Sequence, residues 1–276
     1  PWRTGPKAHP GRLMIWASAH KELAVTPLHD GFEDTLRDNN PWGLDAGRIG
    51  TVGEALRHTT IVHGLGAIAD AIGEPLAALA DELGAAWRSA DVADLTAATT
   101  AVQELAEALG GVDGLINNAG RMDLGSPTAT NPEVWRAAFE VNVMGLLATT
   151  HAAVPYLRRS AHPNLINMSS MSGRRVASVD GGVYASTKFA VHALGDALRM
   201  ELQPDGIAVT TVSPGFVRTN LADDADDEHR RQWQHSVAER GIDPEVIGEV
   251  VRHLLTLPTG VCPVEYALTA TAQLPG

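Results

Sequence analysis

Tyr184 and Lys188 stand four residues apart in Gly182-Val183-Tyr184-Ala185-Ser186-Thr187-Lys188, within a stretch whose pattern predicts a helix over Val183–Leu202. That spacing puts both side chains on one helix face. A free tyrosine hydroxyl titrates near pH ~10 and is a poor base at neutrality. A neighbouring ammonium favours the phenolate, so the pair suits proton exchange with an alcohol or carbonyl oxygen. Tyrosine and lysine at this spacing also share ordinary surface helices, so the pair by itself does not define a site. Ser170 lies 14 residues before Tyr184, just past a predicted strand Leu165–Met168. Its hydroxyl is placed to donate to the same substrate oxygen and to stabilise developing negative charge there. Ser169 and Ser172 compete with it as loop formers; Ser170 is favoured because Gly173 follows it at the third place. Asn142 sits between Val141 and Val143 in a predicted helix. Asparagine is a mediocre interior helix residue, so it either faces a polar partner or bonds a nearby carbonyl.

Four such residues need a scaffold that gathers them, and from about Glu74 onward the sequence supplies one. Strands are expected at Ala85–Ala90, Val112–Ile116, Leu165–Met168, Ile207–Val212 and Tyr266–Thr269, with a short one at Thr60–Val62. Between them lie helices over Pro75–Leu83, Leu95–Leu109 (stopped by Gly110-Gly111), Pro132–Leu157 (capped by Asn131), Val183–Leu202 and Asp243–Leu257. Alternation of this kind, with helices long enough for crossovers, predicts a doubly wound parallel α/β sheet. Ligands of such sheets sit outside the carboxyl ends of the strands. Asp91, Asn117, Ser170 and Gly215 each follow a predicted strand and are expected to converge on one sheet edge. Residues 1–58 are an atypical N-terminal segment, rich in loop signals, with Leu13–Ala17 as its only short apolar run; residues 59–276 form the α/β domain.

The composition agrees with a soluble protein. Hydrophobic residues make up 44% and charged residues 20%. The net charge of -12 repels phosphate backbones and anionic lipid, so neither nucleic acid nor membrane is an expected partner. With one cysteine, Cys262, neither an internal disulfide nor a thiolate metal cluster can form, no metal site is expected, and a cytoplasmic location fits. No apolar signal-peptide core is legible near the first residue, and the chain does not begin with Met.

Asn117-Asn118-Ala119-Gly120, Asn142, Ser170, Tyr184-Ala185-Ser186-Thr187-Lys188 and Pro214-Gly215, in this order and spacing over residues 75–272, resemble the short-chain dehydrogenase/reductase family. The resemblance implies hydride transfer between NAD(P) and a carbonyl or alcohol, a small-molecule substrate, and a homotetramer or homodimer built on the helices near 131–158 and 183–203. It implies Tyr184 as general acid/base and Lys188 as the group that lowers its pKa and holds the nicotinamide ribose. Ser170 would orient the substrate oxygen, and Asn142 would support a water leading from Lys188 to solvent. Asp91 would lie near the adenine and Asn117 at the start of the loop under the adenine ribose. Pro214-Gly215-Phe216-Val217-Arg218-Thr219 would hold the carboxamide, through the Val217 backbone and the Thr219 hydroxyl. Residues 220–240 are expected to form a lid, with Leu221, Trp233 and Val237 offering apolar contacts.

One family feature is not legible. An apolar first strand should run into a glycine-rich turn that cradles the pyrophosphate. The nearest pattern, Gly43-Leu44-Asp45-Ala46-Gly47-Arg48-Ile49-Gly50, follows Arg37–Trp42, which is no buried strand. Gly64-Leu65-Gly66 sits too close to Asn117. Cofactor choice is obscured as well. No arginine stands in Gly64–Asp70 for a 2′-phosphate; the segment Gly182–Ala185 and the end Leu268–Gln273 are similar to an NADP-dependent subgroup acting on hydroxy acids and small alcohols, so NADP is preferred to NAD. Two alternatives stay open: a non-catalytic relative with a defective cofactor cradle, and an epimerase or dehydratase.

Overall fold

The computed structural model describes the backbone of residues 13–18 and 59–64 and, apart from 220 and 223–226, residues 86–273. Seven strands form one sheet: β1 Leu13–Ser18, β2 Thr59–Gly64, β3 Trp87–Ser89, β4 Gly114–Asn117, β5 Asn164–Met168, β6 Ala208–Pro214 and β7 Glu265–Leu268. The order is β3-β2-β1-β4-β5-β6-β7, and every pair is parallel. This is the expected doubly wound, Rossmann-like sheet, whose order reverses between β1 and β4.

Leu13–Ser18, which contains the one short apolar run noted in the N-terminal segment, is an interior strand, paired with β2 on one side and β4 on the other. The candidate turn Gly43–Gly50 and the helix expected over Pro75–Leu83 lie outside the described residues.

The helices are α1 Leu95–Leu109, α2 Pro132–Phe139, α3 Leu146–Leu157, α4 Gly182–Leu202, α5 Asp227–Arg240 and α6 Pro244–Leu255. Local chemistry sets their ends. The Asp94 carboxylate accepts from the Thr96 and Ala97 amides at 3.0 Å each, and Gly110 closes α1 in the left-handed region at φ 69°, where glycine avoids the penalty a Cβ would bring. Asn131 caps α2 through the Glu133 amide at 3.0 Å, with Pro132 in the first turn. The predicted single helix to Leu157 is interrupted by a π turn, Glu140–Gly145; such turns insert one residue and re-aim a side chain, and this one contains Asn142.

Side chains alternate through the sheet as the strand repeat requires. Leu115, Leu165 and Val209 join a core with α1 and α3 residues such as Val102, Leu105 and Leu157. Ile116, Ile166 and Val212 point the other way and meet Val250 and Leu254 of α6. Both faces of the central strands are therefore covered, as an all-parallel sheet demands. Pro132–Leu157 is, among the described residues, the one stretch long and apolar enough to cross a membrane; half of its most apolar window is buried within the protein.

Candidate active site

The strand ends deliver the predicted residues to one edge. Asp91 follows β3, Asn117 ends β4, Ser170 follows β5, Pro214 ends β6 and Gly215 follows it. Tyr184 and Lys188 enter from the first turns of α4, which packs on β5 and β6.

Tyr184 is buried among Met122 and Ala222, with Leu124, Leu221 and Trp233 packed around them. Burial in this apolar setting pushes its hydroxyl up to about 12, and a hydrogen bond with Ser170 pulls it down. The Ser170 oxygen accepts from the Ser172 amide at 3.0 Å, which leaves the hydroxyl proton to be donated. Ser169 faces elsewhere, donating to the Lys188 carbonyl at 3.2 Å. Of the neighbouring serines 169 and 170, it is thus Ser170 that meets Tyr184.

Lys188 is 5% exposed. Its ammonium donates to the Met168 carbonyl at 2.9 Å and lies 5.8 Å from the Tyr184 ring centroid. Burial lowers its pKa to about 8. The expected order of effects is reversed here: desolvation of the phenol outweighs any help from a lysine that burial has itself made less basic.

Asn142 closes the site from the π turn. Its Oδ1 accepts from the Arg121 amide at 2.8 Å, and its Nδ2 donates to the Arg121 carbonyl and Thr187 Oγ1, both at 2.9 Å. It braces the turn after β4. A Cβ placed on Gly120, within that turn, would lie 3.4 Å from both Asn142 Oδ1 and Lys188 Nζ, so glycine keeps this space beside the two polar groups clear of any side chain.

Asn117 contributes differently from a ligand-facing residue. Its Nδ2 donates to Thr150 Oγ1 and Asn167 Oδ1 at 2.9 Å each, and its Oδ1 accepts from Thr149 at 2.7 Å. The side chain ties β4 to α3 and β5, leaving the backbone to border the cleft. It is a shallow crevice of about 10 Å³, lined by Val92, Asn117, Ala119, Val141 and Thr149 among others. Asp91 precedes it, its carboxylate accepting from the Ala93 amide at 2.9 Å.

Past β6, the segment is held by its backbone. The Phe216 amide donates to Gln273 Oε1 at 2.9 Å, Val217 bridges to Ile242, and the Thr219 amide donates to the Val217 carbonyl at 2.8 Å. Trp233 of α5 stacks edge-on against Phe216 at 5.2 Å between centroids. Leu221 and Trp233 pack on the Tyr184 cluster; Val237 is buried. Sequence reasoning missed His192, Ser213 and Glu265, which lie against the Ser170 turn. The one available signal was spacing: His192 follows Lys188 by one helical turn.

The described residues suit a dinucleotide at its nicotinamide end, with a buried lysine, tyrosine and glycine gap; at the adenine end they offer only the shallow Val92–Val141 crevice. For the pyrophosphate between them the sequence offers less. The fold places the phosphate turn directly after β1, and no glycine occurs between Ser18 and Gly31.

An all-parallel sheet with this strand order defines a Rossmann-like α/β protein. Residues 46–230 match the short chain dehydrogenase family, and the chain belongs to it. Its relatives include an uncharacterised oxidoreductase of Staphylococcus saprophyticus, 33% identical over 171 residues, which are 62% of this chain and 69% of that protein. Another, from Staphylococcus aureus strain MW2, is 34% identical over 155 residues, 56% of this chain and 63% of that protein; the match thus spans about two thirds of these relatives' length. Two solved structures share the fold. One is the closed form of a serine dehydrogenase complexed with NADP+ (TM-score 0.72, 21% identity, 95% of this chain and 97% of that one). The other is an alcohol dehydrogenase from the archaeon Thermococcus sibiricus complexed with 5-hydroxy-NADP (TM-score 0.69, 22% identity, 96% and 99%). The chain is an oxidoreductase of this family by descent, and the family match begins at residue 46, downstream of β1.

Proposed function

We propose that the chain reduces a carbonyl, or oxidises the corresponding alcohol, with Tyr184 exchanging the proton and a nicotinamide cofactor, when bound, exchanging the hydride. The observation that carries this reading is the buried Tyr184 hydroxyl hydrogen-bonded to Ser170, on the same helix face as a buried lysine. In the reducing direction a phenol with a pKa near 12 is fully protonated at neutral pH and serves as donor. Ser170, with its proton free to donate, holds the substrate oxygen beside it. Lys188, Asn142 and the Gly120 turn form the floor on which the nicotinamide ribose would lie. Pro214, Gly215, the Val217 backbone and Thr219 would hold the carboxamide, while Asp91 and the Asn117–Ala119 backbone would border the adenine. The wall of Met122, Leu124, Leu221, Ala222 and Trp233 excludes water from the reacting atoms and suits a carbonyl flanked by an apolar group.

NADP is favoured over NAD by the subgroup resemblance and by the NADP-type ligands of the two structural neighbours. Assembly into a homodimer or homotetramer through α2–α3 and α4 is supported by exposed Phe139, Met144, Phe189 and Met200 on those helices. A second reading, a family scaffold without turnover, draws on the missing glycines after β1. One experiment separates the two. Tyr184→Phe removes only the proton donor, so carbonyl reduction should fall by about 10²–10⁴-fold while NADPH affinity, read by fluorescence, stays within a few-fold. Retained turnover would remove Tyr184 from the mechanism. Failure of the wild type to bind NADH or NADPH at millimolar concentration would favour the second reading.

A further inference from the structure

Tyr184 and Lys188 occupy one face of α4, and the next turn of that face presents His192. The imidazole is partly buried, and Nε2 lies 3.1 Å from Ser213 Oγ. Ser213, on β6, has no exposed surface and donates its proton to Glu265 Oε1 at 2.9 Å. The same carboxylate oxygen is 3.9 Å from His192 Nε2 and 3.5 Å from Arg174 Nε. The imidazole also hydrogen-bonds the backbone of Ser170. Four segments meet here: the turn after β5, α4, the end of β6 and the start of β7.

The fit against the Ser170 turn is tight. A Cβ on Gly173 would come within 2.7 Å of His192 Cδ2, the Lys188 carbonyl and Ser169 Oγ. Two of these three atoms belong to groups with little freedom to retreat, so the turn Met171–Gly173 lies flat on His192 and on the backbone of α4. Ser213, at the centre of the cluster, is fully buried, and burying its hydroxyl carries a desolvation cost that an apolar side chain would not. None of His192, Ser213, Glu265 and Arg174 belongs to the proton-transfer pair. What they touch is the turn that carries Ser170.

We propose that His192 is a positioning residue: held by Ser213 and Glu265, it fixes the Ser170–Gly173 turn so that the Ser170 hydroxyl stays aimed at Tyr184. This rests on the reading of Ser170 and Tyr184 given above. The charged and titratable groups around the imidazole are Glu265, Arg174 and Asp196. Burial lowers its pKa below 6.5 most strongly and Arg174 lowers it further, while Glu265, the Ser170 backbone and Asp196 raise it. The neutral ring is therefore the working form at pH 7, and protonation on acidification disturbs the turn.

The test compares His192→Phe, His192→Asn and Ser213→Ala with Tyr184→Phe in carbonyl reduction with NADPH. His192→Phe should lower kcat about tenfold or more, since small misplacements of reacting groups are costly, with KM for NADPH unchanged. His192→Asn, which keeps a donor but cannot titrate, should recover part of kcat and lose the acid limb of the kcat profile below pH 6.5. Ser213→Ala, a smaller change, should lower kcat by a few-fold and shift that limb; it and His192→Asn decide the matter if the phenylalanine variant does not fold. Wild-type kcat and an unchanged pH profile in the histidine and serine variants, with Tyr184→Phe inactive, would overturn the positioning role alone. An active Tyr184→Phe would instead overturn the reading beneath it.

Discussion

Lys188→Met should make the protein more stable at neutral pH while removing its activity. The ammonium is buried, and its one hydrogen bond to a described acceptor is to the Met168 carbonyl at 2.9 Å. Burial lowers its pKa from 10.5 to about 8. At about 1.4 kcal/mol per unit, keeping this lysine charged in the folded state costs about 3 kcal/mol relative to the unfolded chain. Methionine fills a similar volume without charge and forfeits a hydrogen bond worth about 1 kcal/mol, so a net gain of about 2 kcal/mol is expected at pH 7. The sign follows from linkage. A folded-state pKa below the unfolded one means the unfolded chain binds the proton first as pH falls, so stability is lost between pH 10.5 and 8 and stays lost below. The advantage of the variant should therefore shrink as pH rises above 8 and be gone by pH 10.5, where the wild-type lysine is neutral in the folded state and half-protonated in the unfolded chain. Urea unfolding of both proteins at pH 7 and 10.5, without cofactor and at equal concentration, reads this directly. A variant less stable than wild type at pH 7, or a difference independent of pH, would refute the claim that the charge is held at a cost.

Ser170→Ala should lower kcat for carbonyl reduction by about 10²-fold or more, leave NADPH affinity unchanged in a fluorescence titration, and leave Tyr184 without its hydrogen-bond partner. Alcohol oxidation needs the phenolate, and with Tyr184 near 12 its rate should climb about tenfold per pH unit through the alkaline range; a flat profile in stopped assays from pH 7 to 10 would speak against Tyr184 as the base. Asn117→Leu takes the Asn117 donor from Thr150 Oγ1 and Asn167 Oδ1 in the interior, while Thr149 keeps the Gly145 and Leu146 carbonyls as acceptors, and should cost about 2–4 kcal/mol in urea unfolding. With no glycine just after β1, the phosphates should add little to binding, so reduced nicotinamide mononucleotide should support turnover within about tenfold of NADPH; a loss of 10³-fold would show that a cradle exists.

The legible parts of this protein are those where local pattern and tertiary role coincide. Gly110 and Asn131-Pro132 mark helix ends because their backbone conformations or side chains satisfy the end groups themselves. Leu165 and Ile166 read as a strand because both faces of a parallel sheet are buried. The Tyr184–Lys188 pair was legible because helix geometry fixes its neighbourhood. Leu13–Ser18 was not, since a six-residue apolar run carries no sign of which strands flank it, and the glycine turn that usually announces the first strand does not follow. The π turn was hidden for another reason. One inserted residue leaves the apolar spacing of Val141, Leu146 and Leu157 nearly intact, while the Asn142 side chain, which the turn directs onto the Arg121 backbone, looked only like a poor helix former. The Ser213–Glu265 link joins residues 52 apart in sequence and has no local signature at all.

The same physics decides where this chain stores its chemistry. Tyr184 and Lys188 are both moved by burial toward their neutral forms, the phenol upward and the amine downward, which draws apart the pKa values an acid–base pair would be expected to bring together. An isolated pair in that state is a poor base and an expensive cation. It becomes useful only if binding supplies what the apolar wall withholds: a substrate oxygen that needs a proton, held by Ser170, and hydroxyls that solvate the ammonium. On the proposed reading, reduction suits the buried pair better than oxidation, because Tyr184 begins protonated and no charge must be created beforehand. Oxidation must first form a phenolate against the desolvation that Met122, Ala222 and Trp233 impose. The proton state of Tyr184 at neutral pH thus follows from how closely the apolar side chains around it exclude solvent.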